Sequence, residues 1–377
     1  MKSTPAEGSR RKFLFSLTGI SSTFFLNSSW AWASDEMDPR VAKIVAKTMG
    51  IDTHNHVDVR LYTDQPFPSY DFLADFKKSG LAAICMTFAV DYQKLQNPGD
   101  AYNRFVNGMD AADKLLQEVN LKRSLNTTDL KSAFKKKQPA VIQSVEGGHF
   151  LEGKLERLTM AYDRGLRVLG LLHDNDAAVP LGDIYTNAPK YGGLTAFGTE
   201  VVKECNKLGI LIDLTHCNNK TIDDALKIST HPIIITHTGL DTQLGLNAKL
   251  AQMMKPRLIN KEQAKIVAKA GGVIGVWKHL TNTPLEYVED IKAMVDIVGI
   301  DHVCIGTDSK MTRAIKPTDA GTPARVGDNT NGIWPNQEVG FLYAVVDAML
   351  KTGFSEREIN KLSGGNFLRV FDAATKR

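Results

Sequence analysis

With 377 residues, 43% of them apolar and 23% charged, the sequence has the length and composition of a soluble enzyme built on one large α/β domain. Most of its formal charge of +4 sits at the amino terminus: residues 1–33 hold four of the 46 basic side chains and one of the 42 acidic ones, leaving 42 against 41 in the rest. A body so close to neutral excludes the electrostatic footprint of a nucleic-acid binder, and four cysteines without CxxC spacing exclude a zinc ribbon or a redox pair.

The first stretch reads as an export signal. Ser9-Arg10-Arg11-Lys12-Phe13-Leu14 has the form of a twin-arginine signal. A moderately apolar run to Phe25-Leu26 follows, and Ala31-Trp32-Ala33 has the small-x-small form of a cleavage site. Ser16, Thr18, Ser21, Ser22 and Thr23 weaken that run as a membrane span, which needs about 20 predominantly apolar residues. The expected organisation is a twin-arginine-type signal peptide over residues 1–33 and a catalytic unit over 34–377. That unit is expected in the periplasm or otherwise exported, with the twin-arginine machinery as partner. Nothing later in the chain is long and apolar enough to cross a bilayer.

Residues 38–48 predict a short helix leading into a strand that ends on Ile51-Asp52-Thr53-His54-Asn55-His56. A long excursion, 57–78, carries Pro66 and Pro68. The continuous apolar run 81–88 predicts a buried second strand. A helix follows over 101–119, with Phe105, Met109, Ala112, Leu115, Leu116 and Val119 on one stripe. A third strand spans 139–146, closed by Gly147-Gly148; a helix spans 155–165 and a fourth strand 168–173. A polar, glycine-rich loop (174–193) precedes a helix through Cys205. Strands over 209–216 and 232–237 flank a helix over 219–228. A long connection then carries Pro256-Arg257 to a helix over 261–270. A strand (272–277), a helix (284–298) and an eighth strand (302–308) come next, and helices over 337–350 and 355–372 close the chain. Eight strands separated mostly by helices predict parallel order and a single (β/α)8 TIM-type barrel with extra closing helices. Cys85 and Cys304 lie within strands and read as buried thiols.

In such a barrel the chemistry gathers where the strands end. His54 and His56 are two apart, so both imidazoles leave one face of their strand and can meet one metal ion. Other strand endings supply Glu146, His173, His216, His237 and Asp308, whereas His231 and His302 stand at strand beginnings and belong to the opposite face. The set fits a two-metal hydrolase. His54 and His56 hold one divalent ion, His216 and His237 the other, and Glu146, with two oxygens, bridges them. Nitrogen and carboxylate ligands without thiolates favour Zn2+, with manganese and iron open. Two ions about 3.5–4 Å apart can share a hydroxide and polarise a carbonyl oxygen. Asp308 is placed to carry a proton from the water to a leaving amine, and His173 to donate to the oxyanion. Trp277 reads as packing, with Lys278 and His279 able to face the pocket.

Several segments, in order, resemble the renal (membrane) dipeptidase family: Val145-Glu146-Gly147-Gly148-His149, Leu172-His173, Leu211-Ile212-Asp213-Leu214-Thr215-His216 and Ile235-Thr236-His237. Gly365-Asn366-Phe367-Leu368-Arg369-Val370-Phe371 is similar to that family's closing segment. The resemblance covers nearly all of the chain beyond the signal. It implies a binuclear zinc barrel that cleaves dipeptides, with Glu146 as bridge, His216 and His237 as ligands, His173 on the oxyanion and Asp308 as proton carrier. It also implies that Arg257 grips the substrate's free carboxylate, a task suited to a planar guanidinium. The chain departs from the family at three places. His54-Asn55-His56 stands for the usual His-x-Asp, Leu258 for an asparagine, and Ser309-Lys310-Met311 for Phe-Asp-Gly. Competing expectations are a metal-dependent amidase or lactonase acting on another small carboxylate substrate, and a non-catalytic periplasmic binding protein. A homodimer is left open.

Overall fold

Each apolar run of the sequence becomes a strand, and nearly all of them are buried on both faces. The computed structural model describes residues 37–57, 71–91, 94–310 and 334–376. The export signal, Pro66, Pro68 and Met311 lie outside the described residues. In chain order the elements begin with α1 (Val41–Lys47), β1 (Ile51–His56), α2 (Phe72–Ser79), β2 (Ala83–Ala89), α3 (Asp100–Glu118), α4 (Thr127–Lys135) and β3 (Ala140–Glu146). Next come α5 (Glu156–Asp163), β4 (Leu166–Gly170), α6 (Ala196–Leu208), β5 (Leu211–Asp213), α7 (Asn219–Ile228), β6 (Ile234–Thr238), α8 (Ala248–Met254) and α9 (Lys261–Lys269). The chain continues through β7 (Val273–Val276), α10 (Pro284–Val298), β8 (Val303–Ile305), β9 (Ser309–Lys310), α11 (Phe341–Lys351), α12 (Glu356–Asn360) and α13 (Asn366–Thr375).

The strands form one curled, all-parallel sheet in the order β8-β7-β6-β5-β4-β3-β2-β1-β9. Its longest unbroken ladder runs from Ala83↔Ala140 to Ala89↔Glu146. β9 is a short strand beyond the eight expected. It pairs with β1 through Asn55↔Ser309 and His56↔Lys310, and the segment Gly306-Thr307-Asp308 connects it directly to β8. β1 also touches β6 and β8, and Thr53 Oγ1 donates to Thr236 O at 2.8 Å and Ile305 O at 3.0 Å. The backbones crowd there: a Cβ on Gly306 would lie 1.8 Å from Thr236 O.

The strand beginnings bury an apolar plug. Ile51, Ala83, Ala140, Val168, Leu211, Ile234, Val273 and Cys304, one from each of β1 to β8, pack with Phe367, Val370, Phe371 and Ala374 of α13. The closing segment thus covers the end of the sheet opposite the site, each phenylalanine worth about 1.5–3 kcal/mol of burial. The single helix expected over 355–372 is interrupted at Gly364, which packs so closely that a Cβ would lie 2.0 Å from Met49 O.

Two strands stop short of their apolar runs for a common reason. Asp213 Oδ1 accepts the backbone N–H groups of Thr215 and Thr236, at 2.9 and 3.0 Å. Asp52 Oδ1 accepts that of Thr307 at 2.8 Å. Carboxylates replace ladder partners, so β5 and β8 end early and the chain bends toward the site. Helices α2, α4 and α8 lie in segments read as connections, nucleated by the side chains of Asp71, Asn126 and Asn247 at their amino ends. All four cysteines are free and buried, and burial pushes their thiols up. Among the described residues no helix is long and apolar enough to cross a membrane.

Candidate active site

Glu146 ends β3 with its carboxylate sealed from solvent, and imidazoles converge on it. His216 Nε2 is 2.7 Å from Oε1, His237 Nε2 3.5 Å and His54 Nε2 3.6 Å. His56 Nε2 lies 3.9 Å from Oε2. The histidine nitrogens also crowd one another: His54 and His56 Nε2 are 3.3 Å apart, His216 and His237 Nε2 3.1 Å. All five expected ligands therefore come together, with His54 and His56 on one face of β1 as their spacing predicts. Three groups of donor atoms are close enough to hold an ion: His54, His56 and Asp308; His54, Glu146 and His237; and Glu146, His173 and His216.

Hydrogen bonds settle which nitrogens face the centre. Thr236 Oγ1 donates to Asp213 Oδ2 at 2.6 Å. It can only accept from its two imidazole neighbours, so His54 and His237 donate Nδ1–H to it, at 3.2 and 3.1 Å. Tyr185 OH donates to Asp174 Oδ1 at 2.7 Å and therefore accepts the Nδ1–H of His216, at 2.5 Å. Each ring is thereby left with Nε2 aimed at Glu146, the arrangement by which outer partners orient metal-binding histidines.

The residues fit a divalent pair on a second ground. Glu146 Oε2 is buried without a hydrogen-bond partner, with His173 Nε2 as an ion-pair neighbour at 3.3 Å. A carboxylate oxygen left so costs stability unless a cation meets it. Burial pushes the Glu146 carboxyl up, but the imidazoles of His173, His54 and His216 outweigh burial and hold it well below the usual carboxylate range. Burial lowers His54 and His216, and Glu146 outweighs it so that both rise. His237 falls well below its ordinary value, through burial first and the neighbouring His54 second.

Asp308 stands three residues beyond β8 in left-handed backbone, φ 50°, as does His216 beyond β5, φ 67°. Strained backbone at two site residues is held in place by the packing around them. Asp308 Oδ1 is 3.0 Å from His56 Nε2, and Oδ2 accepts from His279 Nε2 at 2.5 Å. His279 is thus part of the site, while Lys278 turns to the Trp334 ring, 5.0 Å away. Trp277 packs as expected, buried against Leu250, Met254 and Leu280, and it also lines the pocket, its indole stacked 6.5 Å from the His237 ring. His302 donates Nδ1–H to Gly272 O, 2.8 Å away, at a strand beginning.

The sequence reading missed Asp91, two residues past β2 and buried. Its Oδ1 holds His173 Nδ1 at 2.5 Å, and its Oδ2 accepts from the side chain of Asn175 at 3.0 Å. Burial pushes the Asp91 carboxyl up, and His173 outweighs burial to hold it at about 2. His173 thereby turns Nε2 into the pocket. Arg257 ends a 3-10 turn, Lys255–Arg257, and lines the same pocket of about 230 Å3. Its guanidinium is bonded to Asp174 Oδ2 at 2.6 Å.

A buried carboxylate ringed by histidines at parallel strand ends is the arrangement the resemblance implied, and the family model for membrane dipeptidase, peptidase family M19, matches residues 39–318. The chain belongs to the membrane dipeptidase family. It is a metal-dependent dipeptidase by that membership. A Klebsiella pneumoniae relative, described as an uncharacterized protein in the pqqA 5′ region, is 27% identical over 265 residues, 66% of this chain and 88% of its own. Among solved structures, an amidohydrolase from Pseudomonas aeruginosa is similar, with TM-score 0.72 and 22% identity, over 89% of this chain and 99% of that one. A metallo peptidase from Rhodobacter sphaeroides, liganded with a phosphinate mimic of the dipeptide L-Ala-D-Ala, has TM-score 0.63 and 19% identity, over 86% and 99%. Both structures share the fold.

Proposed function

We propose that this membrane dipeptidase family member is an exported enzyme that hydrolyses dipeptides with two divalent ions, zinc by preference, at the mouth of a closed (β/α)8 barrel. The observation that carries the reading is the convergence of four Nε2 atoms on Glu146, whose Oε2 has no hydrogen-bond partner. His54 and His56 would hold one ion, His216 and His237 the other, with Glu146 between them. Such ions supply Lewis acidity toward a carbonyl and acidify water. Barrel closure is supported by β9, which continues from β8 and pairs with β1. The Rhodobacter peptidase, with its bound dipeptide mimic, supports the substrate class. The pocket, about 230 Å3, is below the roughly 300–1,000 Å3 of drug-sized sites, which suits a small substrate.

The residues divide the work. Asp308 accepts a proton from the attacking water and returns it to the leaving amine as the C–N bond breaks. His279 holds one oxygen of that carboxylate through Nε2–H, while His56 Nε2, beside the other oxygen, would be given to the ion. With Nδ1–H given to Asp91, His173 donates Nε2–H to the oxyanion that forms on the attacked carbonyl as the imidazolium, the form that Glu146 and Asp91 favour by outweighing burial. Arg257 binds the carboxylate at the far end of the substrate.

Arg257→Ala tests the substrate reading. A hydrogen bond between charged groups is worth about 1.5–3 kcal/mol, so kcat/KM for a free-acid dipeptide should fall about ten- to a hundredfold more than for the same dipeptide amidated at its carboxyl end. An unchanged ratio between the two substrates would show that Arg257 does not read the carboxylate. Export is tested separately. Replacing Arg10 and Arg11 by lysine should strand the precursor in the cytoplasm, and unchanged export of that variant rejects a twin-arginine route.

A further inference from the structure

Arg257 is not an unencumbered receptor for a carboxylate. Its guanidinium donates to Asp174 Oδ2 at 2.6 Å and reaches Met253 O at 3.3 Å. Asp174 is itself pinned: Oδ1 accepts from Tyr185 OH at 2.7 Å and lies 3.3 Å from Nδ1 of His216. Both Asp174 and Arg257 line the pocket. We infer that Asp174 is a specificity-determining residue that competes with the substrate's carboxylate for Arg257, so that the site takes dipeptides with a neutral carboxyl end nearly as well as free acids.

Like charges set this selectivity. A substrate carboxylate that reaches the Arg257 fork must sit beside a second carboxylate already bonded to it. The attraction of the guanidinium is largely cancelled by that fixed anion. An amidated, esterified or otherwise neutral end meets no such repulsion and can still accept a hydrogen bond from the remaining N–H groups. Asp174 cannot swing clear without giving up Tyr185 as well, and Tyr185 is what accepts the Nδ1–H of His216. The pair is partly exposed, with side chains 24% accessible at Arg257 and 33% at Asp174, so screening moderates the effect. It is a compression of selectivity, not a reversal.

This inference rests on Arg257 as the carboxylate reader, and its test separates the two. kcat/KM is measured for one dipeptide as free acid and as amide, with the wild type, Asp174→Asn, Arg257→Ala and the double variant. Metal content is measured alongside. Asparagine keeps the shape and an acceptor for Tyr185 but removes the charge. The acid-to-amide ratio should rise about tenfold in Asp174→Asn, and the same change should raise it again when Arg257 is alanine, where the fixed anion repels the carboxylate with no guanidinium beside it. A merely structural disturbance at His216 would lower both substrates alike and leave the ratio where it was. An unchanged or lower ratio in Asp174→Asn, with Arg257→Ala collapsing it, overturns the role of Asp174. An unaltered ratio in Arg257→Ala overturns the carboxylate reading beneath it. Should Asp174→Asn turn over neither substrate, the ratio is read from dissociation constants of phosphinate dipeptide analogues carrying either end, with the same outcomes.

Discussion

Glu146→Gln should leave the protein folded but unable to keep its ions, with dipeptide hydrolysis lowered by more than the roughly 10- to 100-fold that loss of an outer-shell partner costs. The reason lies in the geometry at the end of β3. Oε1 is within 2.7–3.6 Å of three imidazole nitrogens, and Oε2 is buried without a hydrogen-bond partner. A neutral amide offers one oxygen in place of two and points an NH2 group at nitrogens that need a cation. Elemental analysis of the purified variant and its kcat/KM report the effect, and far-ultraviolet circular dichroism reports the fold. Two ions per chain in Glu146→Gln would refute the bridging role.

Asp308→Asn should lower kcat by about 10²–10⁴, the range for removing a general acid–base group, with ions retained and KM little altered. The asparagine side chain can still accept from His279, so the fold and the pocket survive while the proton carrier is lost. His279→Ala acts through Asp308 and should cost less, about ten- to a hundredfold, because the proton-carrying carboxylate itself remains and only its orientation is loosened. Wild-type kcat in Asp308→Asn would remove it from the proposed proton path.

The cluster of side chains around Glu146 was legible because it obeys local rules. The i, i+2 spacing brought His54 and His56 to one face, and an apolar run ending in a charged or imidazole group marked Glu146, His173, His216, His237 and Asp308. The same rule applied to the second run would have found Asp91, two residues past β2. What holds those groups was not legible. Asp91 meets His173 across 82 positions and Arg257 meets Asp174 across 83, and no local pattern names the distant partner of either aspartate. Asp213 and Thr236 looked like ordinary strand residues, yet their side chains end a strand and orient two imidazoles. The fold followed the same division. Strong apolar runs gave the eight principal strands, while two-residue β9 and the short helices α2, α4 and α8 depend on capping and tertiary pairing more than on periodicity.

A metal add-back tests the two-ion dipeptidase most directly. Mature protein is stripped with a chelator, then titrated with Zn2+ while hydrolysis of a free dipeptide and bound zinc per chain are followed together. Activity should vanish on stripping and return in full only as the second equivalent binds. Undiminished hydrolysis by the stripped protein, or no hydrolysis of any dipeptide with two equivalents bound, would contradict it.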